Sequence, residues 1–408
     1  MARFSPLRLS HRNLEAMPGA ESSLGEQTVR PDLVLLTAVA ALLLLGLDMV
    51  YSASYVIAHN SPQYQSDTYF LTRQMIWAAL GLFAMLITMR IDYRHWRRLS
   101  VPLMVISLLA LLAVLVPKVG HSAYGAQRWL SLGPLPPVQP SEFAKLALLL
   151  YLSDWLSRRR DRLGELSQGT LPFALSVGAV CALVMLQPDM GSTIVILVAS
   201  LSLFFLAGCD LRHFLGGLAG GGAIMALLIV TVGYRSDRLA AYLDPSSDPT
   251  GVGWHIIQSS IALGSGGLFG LGLGASRQKF YYLPGAHTDA IYAVIGEELG
   301  LLGTLSVLAL FFILLYRGLR ITQRAPDSYG ALLAAGITFW IVLQALINIA
   351  VVTATVPFTG ITLPFVSSGG SSLLVSLVAV GILLSISRHQ MATRSTENRN
   401  RGAEPITA

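Results

Sequence analysis

Long apolar runs, each joined to the next by a short polar segment, leave this chain few folds to adopt. A membrane-crossing helix needs about 20 mostly apolar residues. Runs near that length lie at 33–54, 72–90, 100–117, 141–157, 170–187, 191–209, 213–233, 290–316, 330–353 and 371–387. They predict an all-α integral membrane protein of about ten transmembrane helices. Charged residues make up 12% of the chain, against roughly 25% in soluble domains, and the deficit is confined to the runs. The fourth run is the least regular, because it holds Glu142, Lys145 and Asp154.

The basic residues set the direction. Arg3, Arg8, Arg12 and Arg30 precede the first run. Arg90, Arg94, Arg97 and Arg98 follow the second, and Arg158, Arg159, Arg160 and Arg162 follow the fourth. Arg212, then Arg317, Arg320 and Arg324, then Arg388, Arg394, Arg399 and Arg401 continue the alternation, so one side holds most of the 28 Lys and Arg. Positive charge collects on the cytoplasmic side, which predicts an even number of spans with both termini inside. The net charge of +6 is therefore read as orientation in the bilayer and not as nucleic-acid binding. The first run is longer than the ~7–15 apolar residues of a signal peptide and follows a polar leader. Flexible cytoplasmic tails are expected at 1–31 and 389–408, around a membrane domain at 32–388. The two cysteines, Cys181 and Cys209, sit in or beside apolar runs and read as packing residues.

Two outer segments stand apart. Residues 118–140 are short but dense in Gly, Pro, Arg and Trp. Residues 234–289, between spans seven and eight, form a large extracytoplasmic loop whose Trp254, Ile256, Ile257, Phe269 and Phe280 predict order against the bundle, partly as amphipathic helix. GLFGLGLG inside it looks like a nucleotide loop but follows no strand of a βαβ unit. His59, His121, His255 and His287 show no metal-ligand spacing.

Ionisable groups at membrane depth are costly and mark function. Glu142 and Lys145, three residues apart, share a helix face and can pair, either as a structural lock or as part of a site. Asp189, in LQPDMGS, reads first as a helix cap. Asp289 stands where span eight begins, and a helix N-terminus favours an anion there; alone, it too reads as a cap. Glu297 and Glu298 lie about 12–14 Å further along a continuous helix. That is beyond the roughly 5–9.5 Å of paired glycosidase carboxylates, so Asp289 would work without a second acid. Arg128, Lys145, Arg235, Arg238, Arg277 and Lys279 are candidate partners for an anionic head group. The alternative for the loop residues is snorkelling to water. VVTATVPFTGITLPFVSSGGSS is a Pro/Gly-broken stretch of the kind that lines cavities, where Ser367, Ser368, Gly369 and Gly370 would allow close approach of a substrate.

GAQRWLSLGPLPPVQPSEFAKLALLLYL, LQPDMGSTIV, YYLPGAHTDAIYAVIGEELGLLGT and TGITLPFVSSGGSSLL occur in that order. Together they resemble the SEDS family (shape, elongation, division and sporulation) over residues 33–388. The resemblance implies a ten-span bundle that polymerises peptidoglycan from lipid II beside a class B penicillin-binding protein, within the bacterial inner membrane. It implies that Asp289 is the essential outer aspartate and that Glu142, Lys145, Asp189 and Arg128 are functional. The polar leader and the HTDAIYAVIGEELG form lean towards the division branch, with other division proteins as partners at the septum. Gly285, where an acidic residue is frequent, and SSGGSS in place of SYGGSS depart from the family pattern.

For such a reaction, a carboxylate takes the proton of the attacking sugar hydroxyl. The leaving pyrophosphate needs positive charge, from Arg or Lys or from a divalent cation (Mg or Mn), the one cofactor the chemistry would admit. Arg238, Lys279, Ser367 and Gly369 complete the expected substrate-binding set. The rival readings are a flippase for lipid-linked precursors, which predicts an inverted repeat that the sequence does not display, and a scaffold that only recruits the transpeptidase.

Overall fold

The computed structural model describes residues 30–401, apart from 63, 65, 118, 124–125, 132–136, 232 and 248–249. Most of the expected N-terminal tail, with Arg3, Arg8 and Arg12, lies outside the described residues. The chain is built of helices α1 (Leu33–Asn60), α2 (Tyr69–Arg90), α3 (Arg94–Leu115), α4 (Pro140–Ser157), α5 (Leu171–Leu186), α6 (Met190–Leu206) and α7 (Leu211–Thr231). Then come α8 (Gly233–Leu243), α9 (Val252–Ser265), α10 (Ile291–Arg324), α11 (Ser328–Val352) and α12 (Gly370–Arg401). Among the described residues, α1, α2, α3, α5 with the turn before it, α10, α11 and α12 are long and apolar enough to cross a membrane. Helices α4, α6 and α7 fall on the other three predicted runs.

Local chemistry sets many of the boundaries. Asp32 caps α1 by accepting from Leu35 N at 3.0 Å, and its carboxylate also receives Arg317 Nε of α10 at 2.9 Å. Asp189 caps α6 through Ser192 N at 3.0 Å, and Asp327 caps α11 through Gly330 N at 2.6 Å. Pro140 opens α4 in the first turn, where a missing N–H costs nothing. Residues 118–140 include an antiparallel hairpin of β1 (Gly120–Ala123) and β2 (Ala126–Leu130), with Gly120 opposite Leu130. At the far end, α12 runs on as helix to Arg401, so much of the expected C-terminal tail is helical.

The core lies along α11 and α12, whose Trp340, Ile341, Leu377 and Leu383 are fully buried, with α4 beside them. Van der Waals contact between closely spaced backbones drives helix association in lipid, and glycines supply the spacing. A side chain at Gly381 would overlap Thr88 and Met85 of α2, and one at Gly336 would press on Leu203 and Leu149. At Gly336 and Gly381 the missing side chain is what allows this close packing.

Helix α10 is broken at Gly300, whose φ of 68° and ψ of −162° are open to glycine alone. Into the break comes the glycine-rich segment after α9. Leu271 N and Gly272 N donate to the carbonyls of Glu297 and Glu298, and Leu301 N and Leu302 N donate back to Gly267 and Leu268. A Cβ on Gly266, Gly270 or Gly300 would overlap the facing backbone. GLFGLGLG therefore exists to lay one backbone against another. Gly300→Ala should lower stability by at least about 1–3 kcal/mol, read as a lower thermal midpoint of the purified protein, with a similar loss for Gly270→Ala.

Candidate functional site

Asp289 closes a tight turn that begins at Gly285, where φ is +65° and a side chain would collide with the Asp289 carboxylate. The absence of a side chain at 285 thus leaves room for that carboxylate. Thr288 Oγ1 lies 3.1 Å from both Asp289 Oδ1 and the Gly285 carbonyl. The expectation that Asp289 caps the next helix does not hold: Ala290 is the N-cap of α10, and no side chain caps it. The carboxylate is left for other work.

Three neighbours define its surroundings. Arg238 of α8 donates from Nη1 to the Phe358 carbonyl at 3.3 Å and lays its guanidinium 5.1 Å from the Phe358 ring. His255 of α9 meets the same ring at 4.4 Å between centroids, tilted by 54°. Gly360 adjoins the Asp289 carboxylate from the broken segment after α11. Burial raises the Asp289 pKa above its ordinary value, with His255, Thr288 and Arg238 acting in the opposite sense. Burial also lowers the His255 pKa, opposed by Asp289, so its imidazole is neutral near pH 7. Sequence reasoning set His255 aside for lack of metal spacing. Its place beside Asp289 comes from the fold of the outer segment, which no local pattern records.

Helix α11 ties this turn to the charged pair of α4. Asn348 Nδ2 donates to the Asp289 backbone carbonyl at 2.8 Å and to that of Ile361 at 2.7 Å. One turn earlier, Gln344 Nε2 donates to the Thr362 carbonyl at 3.1 Å, while its Oε1 accepts from Lys145 Nζ at 2.8 Å. Lys145 also pairs with Glu142 at 2.8 Å, and both are almost fully buried. Gln344 and Asn348 were missed in the sequence. The signal was there: two amides four residues apart inside an otherwise apolar span.

Several expected residues stand one layer back. Arg128 donates to the carbonyls of Gln187 (3.1 Å, from Nε) and Pro188, just before Asp189. Gln139 reaches Asp189 Oδ2 at 3.3 Å, and its own backbone N–H is received by Ser371 at 3.0 Å. Gly191, at the start of α6, packs on Thr359 and Ile361. Ser367 is buried, accepts from Leu363 N at 2.8 Å and gives its carbonyl to Gln74. Gly369 lies against Thr362 at the start of α12. Ser368 N ties that start to the His287 carbonyl.

Lys279 is not brought to Asp289. Its ammonium bonds Gly274 O at 2.6 Å and both Ser52 Oγ and Glu298 Oε1 at 3.1 Å, with Lys279 only 5% exposed. Glu298 further accepts from Gly274 N, Ser276 N and Ser52 Oγ. Glu297 accepts from Arg277 N, Gln278 N and Ser276 Oγ. These two carboxylates hold residues 274–279 against α10.

Polar atoms around the turn remain unpaired among the described residues: Glu142 Oε2, His255 Nε2, Asn348 Oδ1 and Thr359 Oγ1. Buried polar atoms in native proteins have partners, either protein groups or ordered water. No group of three or more His, Cys, Asp or Glu forms a metal cradle among the described residues.

A multi-span helical bundle, with a carboxylate in the turn before α10 that caps no helix and a buried ion pair tied to it through α11, is the class of protein defined here. Residues 33–392 match the family of FtsW, RodA and SpoVE cell cycle proteins, and the chain belongs to that family. It is 47% identical over 356 residues to a probable peptidoglycan glycosyltransferase FtsW of Trichlorobacter lovleyi, covering 87% of this chain and 93% of that one. It is 44% identical over 360 residues to the stage V sporulation protein E of Bacillus subtilis, covering 88% and 97%. Among solved structures it resembles a chain of a peptidoglycan synthase complex that coordinates polymerization and crosslinking, with TM-score 0.72, 32% identity and coverage of 88% and 98%. The rod shape determining protein RodA of Thermus thermophilus gives TM-score 0.65 at 31% identity, covering 88% and 97%. The chain is thus a multi-pass inner-membrane protein.

Proposed function

We propose that this chain is a peptidoglycan glycosyltransferase that polymerises lipid II, with Asp289 as general base. The observation that carries the reading is the Asp289 carboxylate, which caps no helix, lies within the electrostatic reach of Arg238 and His255, and has Gly360 against it. In this reaction the acceptor sugar's hydroxyl oxygen attacks the donor's anomeric carbon. The bond from that carbon to the pyrophosphate breaks, and the hydroxyl proton passes to Asp289. One displacement inverts the anomeric centre. The leaving polyprenyl pyrophosphate is already an anion and needs positive charge instead of an acid; Arg238, whose charge acts on Asp289, is the cation we assign to it. The Glu142–Lys145 pair, through Gln344 and Asn348, fixes the floor on which the turn rests. The capped turn of Arg128 and Asp189 and the start of α12 at Ser367 and Gly369 wall the cleft. Where a divalent cation takes part, Asp289 and substrate phosphates would hold it.

The basic ends of the helices face the cytoplasm in this reading. Both termini lie inside, ten spans cross the bilayer, and Asp289 opens to the outer face at the division septum. A class B penicillin-binding protein and other division proteins act beside it; the likeness to a synthase complex supports such a partner.

The test is glycan synthesis from lipid II by the purified chain, with and without its transpeptidase. No polymer under either condition would overturn the reading. The pH profile adds a second test. A base must be ionised, so the rate falls as pH drops through the Asp289 pKa. Burial raises that value, and the acid limb should sit above the ordinary carboxylate range near 3.8. Arg238→Gln removes a charge that lowers it, so the limb should move to higher pH. A limb unmoved by that change would separate Arg238 from the base.

A further inference from the structure

Between α11 and α12 the chain is irregular, yet residues 358–362 are held at each step. Arg238 Nη1 donates to the Phe358 carbonyl at 3.3 Å, Gly191 packs on Thr359, and Gln344 Nε2 donates to the Thr362 carbonyl at 3.1 Å. A single amide nitrogen, Asn348 Nδ2, donates to the carbonyls of both Ile361 and Asp289, at 2.7 and 2.8 Å. Gly360 is therefore set beside Asp289 by a clamp from α11.

The two oxygens of the Asp289 carboxylate meet different surroundings. Oδ1 lies 3.1 Å from Thr288 Oγ1, and a side chain at Gly285 would overlap it. Oδ2 has no hydrogen bond to another residue among the described residues. A Cβ built on Gly360 would stand 3.7 Å from Oδ2 and 3.8 Å from two edge atoms of the Phe358 ring. Gly360 is exposed, and Asp289 and Phe358 each keep part of their surface. A side chain at 360 would thus stand between the carboxylate and the ring. Its absence leaves a gap with a proton acceptor on one side and an aromatic edge on the other. Two neighbours fix that ring, the Arg238 guanidinium at 5.1 Å and the His255 imidazole at 4.4 Å. Walls held this way lose little freedom when something enters. A sugar suits both of them, with hydroxyls for the carboxylate and apolar C–H groups for the ring. The Gly360 φ of +72° gives a blander reason for glycine, backbone freedom alone. That reason predicts that Asn, which tolerates left-handed backbone, replaces Gly360 without further effect.

We propose that this gap is the acceptor subsite, where the acceptor sugar lies over Gly360 with C–H groups on the Phe358 edge and its attacking hydroxyl on Asp289 Oδ2. The assignment to the acceptor rests on the reading of Asp289 as base, because a base meets the hydroxyl that attacks. In the test, the purified full-length protein is titrated with the disaccharide headgroup of lipid II, freed of lipid and capped by methyl at its anomeric oxygen. This probe can accept a glycosyl group but has no pyrophosphate to lose. Binding is read by saturation-transfer NMR, without turnover. The wild type should bind the probe. Gly360→Asn should weaken binding by at least about tenfold at little cost in thermal midpoint, because Asn keeps the backbone and closes the gap. Phe358→Leu, which leaves the backbone untouched, should weaken it by about three- to tenfold, the usual worth of an aromatic contact. It should also raise the KM for lipid II more than it lowers kcat. Undiminished binding by either folded variant would overturn the proposal, as would a wild type that does not bind. Should Gly360→Asn fail to fold, Phe358→Leu decides alone. The two readings fail separately. A chain that polymerises lipid II while its variants bind the probe undiminished keeps the glycosyltransferase reading and loses the subsite. A chain that binds the probe through Phe358 and Gly360 but makes no polymer keeps the sugar site and loses the reaction.

Discussion

Asp289→Asn should reduce glycan polymerisation by about 10²–10⁴-fold, the usual worth of a positioned general base, while the protein remains folded. The amide matches the carboxylate in shape and can still meet Thr288 Oγ1, 3.1 Å away. The turn itself is held through backbone: Asn348 grips the Asp289 carbonyl, and Ala290 N reaches Gly285 O. Neither contact uses the side chain that changes. Removing a carboxylate that burial disfavours also removes a desolvation cost, so the thermal midpoint should hold or rise. Purified wild-type and variant proteins, given lipid II and the partner transpeptidase, would be compared by product length and initial rate. Equal rates would eliminate Asp289 as base. A lost rate together with a collapsed midpoint would make it a structural residue. The scaffold reading expects the first of these results, because a protein that only recruits a partner has no use for this proton acceptor.

Much of this was legible in the sequence because bilayers impose a simple rule. A run of some 20 apolar residues must be helical there, and α1, α2, α3, α10, α11 and α12 lie over the runs that predicted them. Caps with a side-chain mechanism were also readable: Asp189 accepts from Ser192 N as expected. The Glu142–Lys145 pair followed from helical spacing alone. What failed to show were relations between distant segments. Lys279 looked like a free outer cation, because nothing local says that Glu298 and Ser52 wait for it. The motif at 267–274 could be set aside as a nucleotide loop, but its true partner, the backbone beside Gly300, was not readable. His255 looked idle because Phe358, the ring it shares with Arg238, lies about a hundred residues onward. Periodicity reports the helix; it does not report what the helix meets.

Lys279→Met should destabilise the protein by about 3–5 kcal/mol, the usual result of stripping one partner from a buried ion pair. Glu298 is fully buried, and without the ammonium its charge keeps only neutral donors. Gly274 O and Ser52 Oγ lose their bond to Nζ at the same time. Residues 274–279 would loosen from α10, and the turn carrying Asp289 begins six positions later at Gly285. Activity should therefore fall through disorder of the turn. Glu298→Gln added to Lys279→Met removes the stranded charge while keeping most hydrogen bonds, so the double variant should recover much of the loss. That coupling, read from thermal midpoints in a double-mutant cycle, separates two roles for the lysine. A structural clamp gives strong coupling and rescue, with the KM for lipid II of the rescued protein near wild type. A lysine that binds the substrate's phosphates gives additive stability effects and a raised KM that Glu298→Gln does not repair. The bonds around Nζ require the first outcome, because an ammonium with three bonds has no donor left for a phosphate.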